Sequence, residues 1–148
     1  MFPGTIPMDS SPVSGSTKAV TSGGIYDFLK PKASGIAPTF TAKSGYSWDG
    51  FYQDMLNYRV GNIWFLGISI NNISGTNIGT SSRAAVAQTD IYPACNIQAI
   101  FIDYRASSAQ VRVVLTTDGT FYLYESIGVT SGNNAIRGML IIPYNFEN

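Results

Sequence analysis

The sequence predicts a mainly β protein, an antiparallel β-sandwich of about 100 residues carried behind one short helix. Three observations predict it. Apolar and polar residues alternate with period two: in "VRVVLTT" Val111, Val113 and Leu115 alternate with Arg112 and Val114, and in "TFYLYES" Phe121 and Leu123 alternate with Tyr122 and Tyr124. Period two turns one face of a strand toward a core and the other away from it. Turn residues fall between such runs: Gly61 and Asn62 separate "DMLNYRV" from "IWFLGISI", and Asp118 and Gly119 separate the two runs just named. Both dipeptides signal two-residue hairpins, because glycine takes the positive φ that these turns demand. With "IQAIFIDYR" and "IRGMLIIPY" the set reaches at least six strands, at the spacing of an antiparallel sandwich.

Ahead of these strands the chain divides into zones. Residues 1–15 hold Pro3, Gly4, Pro7, Pro12 and Gly15, which favour extended, solvated backbone, so they read as an arm with few partners on its own subunit. Residues 16–30 form the one candidate helix, with Ser16 as N-cap and Pro31 as stop. Residues 31–45, "PKASGIAPTFTAKSG", read as a Pro/Gly/Ser connector, and residues 46–148 as the β domain. The helix sets Gly23 beside Gly24, and each glycine costs about 1 kcal/mol relative to alanine there. On one helical stripe Val20, Gly24 and Phe28 stack at i, i+4 and i+8, with Ile25 and Leu29 alongside. A glycine on that stripe lets another backbone approach closely. With no second helix in the sequence, the expected partner is another copy of the chain in a small symmetric bundle. The competing reading is a flexible linker with an incidental glycine pair.

Composition narrows the chemistry. Nine Lys and Arg balance nine Asp and Glu, and only 12% of residues are charged, so the basic footprint of a nucleic-acid binder is missing. The single cysteine, Cys95, has no partner for an internal disulfide and is expected as a small buried hydrophobe. Histidine is absent, which removes the commonest general base and a common metal ligand. No cofactor, metal or catalytic residue is therefore expected. The longest apolar runs fall short of the roughly 18 residues of a membrane helix, and "MFPGTIPM" lacks the basic and apolar regions of a leader peptide. Membrane insertion is not expected. Asp103 and Glu125, on separate strands, are the carboxylates that a glycan-cleaving enzyme would need, although nothing in the sequence sets their separation.

A binding module fits better. Trp48, Trp64, Tyr92, Tyr104, Tyr122, Tyr124 and Tyr144 offer apolar faces with a wet polar edge, a combination suited to stacking on sugar rings. Of the adjacent Trp64 and Phe65, one should be core and the other outward. Tyr122 and Tyr124 fall on the face opposite the core residues, a surface read as intersubunit ahead of ligand-binding. The loops "NNISGTNIGTSSRAAVAQ", "RASSAQ" and "GVTSGNNA" form the other candidate surface. Arg83, Arg105 and Arg137 are candidates to pair with acidic sugars, against the ordinary fate of a solvated surface arginine.

The segment from Asp9 to Leu29, most of it the run "PVSGSTKAVTSGGIYDFL", resembles one found in bacteriophage and prophage fibre proteins beside their β-rich modules. The runs that follow are similar in order to the head domains of phage tail-fibre and receptor-binding proteins. The resemblance implies a homotrimeric virion fibre with a β-sandwich or jelly-roll head that contacts the host surface, commonly a polysaccharide. Joined to the stripe reading, it makes Val20, Gly23, Gly24, Ile25 and Phe28 the candidate trimerising residues, and among the aromatic and arginine residues already singled out it leaves Arg83, Trp48, Trp64, Tyr104, Arg105, Tyr122 and Tyr124 as candidate receptor contacts. It also places the protein on the phage particle, at tail or capsid, after synthesis in the bacterial cytoplasm. Fibres of this kind usually carry a longer N-terminal portion that docks on the tail. Either the short arm is itself the anchor to another virion protein, or the chain is a capsid or collar decoration with an architectural role.

Overall fold

A computed structural model describes residues 6–13, 15–52, 56–76, 78, 82–105, 109–124 and 128–144. In chain order the elements are β1 (Met8–Asp9), β2 (Ala19–Val20), α1 (Ser22–Leu29), β3 (Lys32–Ala33), β4 (Phe40–Ala42), β5 (Tyr46–Ser47), β6 (Gly50–Tyr52) and β7 (Asn57–Val60). There follow β8 (Ile63–Asn71), β9 (Ser74–Gly75), β10 (Ala84–Thr89), β11 (Ile97–Asp103), β12 (Ala109–Leu115), β13 (Thr120–Tyr124) and β14 (Ala135–Pro143). The protein is mainly β with one short helix, the class that alternation and turn residues predict. Ten strands join in one antiparallel sheet, ordered β3, β7, β8, β14, β11, β12, β13, β10, β4, with β6 also paired to β8.

That sheet has to curl. Its two edge strands, β3 and β4, are consecutive in the chain. Nine strands laid flat would set the edges about 38 Å apart, whereas the stretch from Ala33 to Phe40 reaches about 25 Å at most. Curling makes one face concave, and there the core gathers: Trp64, Leu66, Ile68 and Ile70 of β8, Phe101 of β11, Val111, Val113 and Leu115 of β12, Phe121 and Leu123 of β13, and Ile136, Leu140 and Ile142 of β14. The Phe101 and Phe121 rings sit 6.2 Å apart although β12 lies between their strands. Hydrogen bonds pin the crossing segment at both edges. The Ser34 hydroxyl donates to Asn57 Oδ1, Trp64 Nε1–H donates to the same oxygen at 2.8 Å, and Asn57 Nδ2 donates to the Ile36 carbonyl at 2.8 Å. At the far edge the Thr39 N–H donates to the Asp90 carboxylate at 2.8 Å. Residues 31–45, expected as a connector, therefore supply both edges of the sheet.

The two hairpins form, with different turns. Val60 pairs with Ile63 across Gly61 and Asn62, and Gly61 has φ +55° while Asn62 keeps a negative φ; this is a II′ turn, which needs glycine only at its first central position. At the second, Leu115 pairs with Phe121, so the loop is longer than the two residues expected. The Gly119 N–H donates to the Thr116 carbonyl at 2.9 Å, the Thr116 N–H to the Thr120 carbonyl at 3.0 Å, and Gly119 has φ +78°. Thr117 and Asp118 are the central turn residues and glycine forms the bulge after them. Side-chain parity requires this. Val113 and Leu123 can share the core face only if they oppose each other, and a two-residue loop would set Val113 against Tyr124.

The Asp118 carboxylate holds the turn from outside. The Thr116 hydroxyl and, at 3.0 Å, the Thr120 N–H donate to it, and these bonds, the hydroxyl first, lower its pKa below the ordinary aspartate value. A carboxylate with a depressed folded pKa adds stability above its unfolded pKa and loses it as pH falls through the folded one. Asp118→Asn should therefore lower the melting temperature slightly at neutral pH, and the gap to wild type should close below about pH 4. A constant gap across that range would remove the carboxylate from the turn.

The helix is shorter than expected. It begins at Ser22 behind Thr21, whose hydroxyl accepts the Gly24 N–H at 3.0 Å. Ser16, the expected N-cap, instead donates its hydroxyl to the Asp9 carboxylate, and Val20 lies in β2, paired in parallel with β1. The close backbone at Gly24 is the Ser10 carbonyl of the same chain, which a Cβ at residue 24 would overlap. The partner assigned from sequence to another copy is thus internal at this position, and the arm packs on its own subunit. The Asp9 carbonyl also accepts the Thr21 N–H at 3.2 Å. Gly23 faces open space. Phe28, expected at a trimer axis, lays its ring on Gly61 and accepts the Gly61 N–H on its carbonyl at 2.9 Å, which docks the helix on the β7–β8 turn. The exposed large apolar side chains of the helix are Ile25, Tyr26 and Leu29, with Asp27 exposed among them.

The two neighbouring glycines should accordingly respond with opposite signs. Gly23→Ala should stabilise by about 0.5 kcal/mol through lower unfolded-state entropy. Gly24→Ala should destabilise by about 1–3 kcal/mol, since the methyl displaces Ser10. Thermal melts of the pair check this, and equal shifts would remove Ser10 from Gly24.

Candidate functional site

On the convex face of the sheet the side chains that alternate with the core point outward. Tyr122 and Tyr124 of β13 stand beside each other there, half-buried, with ring centroids 6.0 Å apart. The register sets Arg112 of β12 against Tyr124, and its guanidinium lies 4.9 Å from that ring's centre. From the other side Arg83, one residue before β10, reaches over both rings, 3.7 Å from the centre of Tyr122 and 5.5 Å from that of Tyr124. Arg83 is exposed, and among the described residues it makes no ion pair. Each cation–π contact at such a surface contributes about 0.5–1 kcal/mol. More consequential is the geometry: a guanidinium flat on a ring keeps its in-plane N–H groups directed sideways, the arrangement that grips a carboxylate or phosphate in a fork.

The basic and aromatic character continues along the face. Arg137 of β14 lies 5.3 Å from the centre of the exposed Tyr104 ring. Arg105 donates to Asn72 Oδ1, and Asn72 Nδ2 donates to the Asp49 carboxylate at 2.7 Å. Four of the five arginines of the chain, Arg83, Arg105, Arg112 and Arg137, lie on this face or at its rim. Among the described residues, no Asp or Glu stands on the outer face of β14, β11, β12, β13 or β10. Among the described residues the face is thus locally basic although the chain has zero net charge, and a local field of one sign attracts anions whatever the total.

Several residues singled out from sequence sit elsewhere. Trp64 is fully buried and belongs to the core, while its neighbour Phe65 faces outward and stacks on Tyr58 with centroids 5.4 Å apart. Trp48 is half-buried against the core. Cys95 is exposed, not buried. Asp103 is fully buried and its Oδ1 accepts the Arg105 N–H at 3.0 Å and the Ala135 N–H at 2.8 Å, a tie between β11 and β14; Glu125, its suggested catalytic partner, lies outside the described residues. The loop expected over "NNISGTNIGTSSRAAVAQ" contains the strand β10, which places Arg83 at a strand end. Ser81 and residues 106–108 of the other candidate loops are also outside the described residues.

Arg112 is the member of the site that sequence reasoning passed over. Its signal was present, since it alternates with Val111 and Val113 and so must share a face with Tyr122 and Tyr124. A separate cleft of about 470 Å³, lined by Asn62, Tyr92, Ala94, Pro143 and Tyr144, opens at the opposite end of β14 from Arg137. Among the described residues, no charged side chain lines it. No helix among the described residues is long and apolar enough to cross a membrane. In comparisons with known proteins the chain matches no family model, no curated protein and no solved structure.

Proposed function

We propose that the chain is a trimeric fibre protein of a bacterial virus, and that its β-rich head attaches to the host surface by binding acidic polysaccharide on the Arg83, Arg112, Tyr122, Tyr124 face. One observation carries the binding assignment: Arg83 stacked 3.7 Å over Tyr122, exposed and with no carboxylate partner among the described residues. A face built for another copy of the chain would bury that charge, at a cost its partner must offset. A face built for an acidic polymer leaves it wet and uses it. The exposed Ile25, Tyr26 and Leu29 on the helix support the oligomeric part, because an apolar stripe of that kind is stabilised by covering it. A second reading, capsid or collar decoration through the arm, is favoured by the exposed Ile6, Met8 and Val13.

Binding of the purified protein to acidic and neutral bacterial polysaccharides, immobilised side by side, tests the assignment. The acidic polymer should be retained and released by salt, and Arg83→Gln should weaken retention about fivefold while lowering the melting temperature by only the few degrees that the lost stacking on Tyr122 and Tyr124 accounts for. Equal retention of neutral polysaccharide, or retention indifferent to Arg83→Gln, would overturn it.

A further inference from the structure

The cleft at the end of β14 is assembled from three separate parts of the chain, none of which contributes to the basic face. Tyr92 stands on the segment between β10 and β11, and its neighbours Ile91 and Pro93 are both buried, so its own side chain is turned outward. The Ile91 N–H donates to the Thr89 hydroxyl at 3.0 Å, which holds that segment against the end of β10. Tyr92 is 62% exposed, and among the described residues no cation and no second ring lies on it. The rest of the cleft comes from Ala94, from Asn62 of the β7–β8 turn, and from Pro143 and Tyr144 at the end of β14. Tyr144 is half-buried and already engaged: it meets the buried Trp64 edge-on with centroids 5.3 Å apart, and its N–H donates to the Asn62 carbonyl at 2.8 Å. Those contacts fix one side of the cleft before any ligand arrives, which lowers the cost of binding. The exposed Tyr92, Pro143 and Asn62 are what a ligand meets.

We infer that this cleft is a binding site for a neutral sugar, taken one ring at a time. Its volume of about 470 Å³ falls within the roughly 300–1,000 Å³ of small-ligand sites. A sugar ring has C–H faces bounded by hydroxyls. The cleft matches both features: Tyr92 and Pro143 supply apolar surface, and the Asn62 side-chain amide both donates and accepts. An acidic sugar or a phosphate would lose hydration there with no cation to offset the loss, since among the described residues no charged side chain lines the cleft. A flat aromatic ligand would stack on Tyr92 but leave the amide unused. The site goes beyond the proposed function, which sets an acidic polymer on the basic face, and neither depends on the other. One open cleft holds one ring weakly, in the millimolar range, so it does not retain a neutral polymer as the basic face retains an acidic one.

Backbone amide NMR shifts of the full-length protein test the site, with the methyl glycosides of glucose, galactose, mannose and N-acetylglucosamine each titrated to about 50 mM. At least one of the four should move the N–H resonances of Asn62, Tyr92 and Ala94 and approach saturation. Tyr92→Ala should weaken that binding about tenfold. Its melting temperature should stay within about 2 °C of wild type, because the side chain is exposed. Tyr92→Trp, which keeps a ring face, should retain the binding, and Arg83→Gln should leave it unchanged. No movement with any of the four glycosides, or binding indifferent to Tyr92→Ala, would overturn the site while leaving the acidic-glycan reading intact. Glucuronate that moves the same resonances as strongly would overturn the preference for a neutral ring. N-acetyltyrosinamide that binds there as tightly would overturn the sugar assignment in favour of an aromatic ligand.

Discussion

Gly138→Val is expected to lower the melting temperature of the protein by roughly 10 °C, corresponding to about 3 kcal/mol. Gly138 lies on β14 on the concave side, and a Cβ there would fall within the ring of Phe101. Phe101 has nowhere to go. It is fully buried and packs on Phe121, which in turn meets Phe40 edge-on with ring centroids 5.6 Å apart. Interiors are packed as densely as organic crystals, so three added carbons displace a ring and the ring displaces its neighbours. Such a loss is a large part of the roughly 5–15 kcal/mol that holds a domain folded. Combining Gly138→Val with Phe101→Leu should cost less than the sum of the two single changes, because each relieves the other. Simple additivity, or a melting temperature that Gly138→Val leaves unchanged, would remove Phe101 from the space above Gly138.

The second large effect concerns assembly. Ile25→Lys combined with Leu29→Lys is expected to convert a trimer to monomers, read as mass by light scattering, while the head melts at the wild-type temperature. Ile25 and Leu29 are spaced i, i+4 and are 47% and 53% exposed, with Tyr26 beside them at 65%. The inner side of the helix is already satisfied by Ser10 on Gly24 and by Phe28 on Gly61, so covering the outer stripe is what a neighbouring copy offers. Two lysines bring like charges together at every copy of that stripe and also keep it solvated. A wild-type protein that is monomeric at micromolar concentration would remove the stem from the proposal. A double variant that stays trimeric would move the interface elsewhere.

Some of this architecture was legible from local pattern alone. Alternation placed Val111, Val113, Leu115, Phe121 and Leu123 on one face and Tyr122 and Tyr124 on the other, because a strand has only two faces and a period of two assigns them. The same alternation, combined with parity across the turn, is incompatible with a two-residue loop at Asp118 and Gly119. In "IWFLGISI" alternation is silent, since β8 is covered on both faces for most of its length, and so it could not say which of Trp64 and Phe65 is core. Nor does "AAVAQT" look like a strand. Alanine and glutamine have little β-propensity, and β10 is extended because it pairs with β13 and β4.

By itself, then, the sequence determined the mainly β class, the two hairpins, the single helix and the face on which the tyrosines stand, all of which follow from residues within one turn or one strand of each other. Only the tertiary structure decided what lies beside Gly24, which tryptophan is buried, that the Pro/Gly/Ser stretch supplies both sheet edges, and that Arg83 and Arg112 meet the Tyr122 and Tyr124 rings from neighbouring strands. Those are neighbours across strands from distant parts of the chain. Their juxtaposition depends on strand order, register and the curl that closes the sheet, and none of these is written in the period of any one segment.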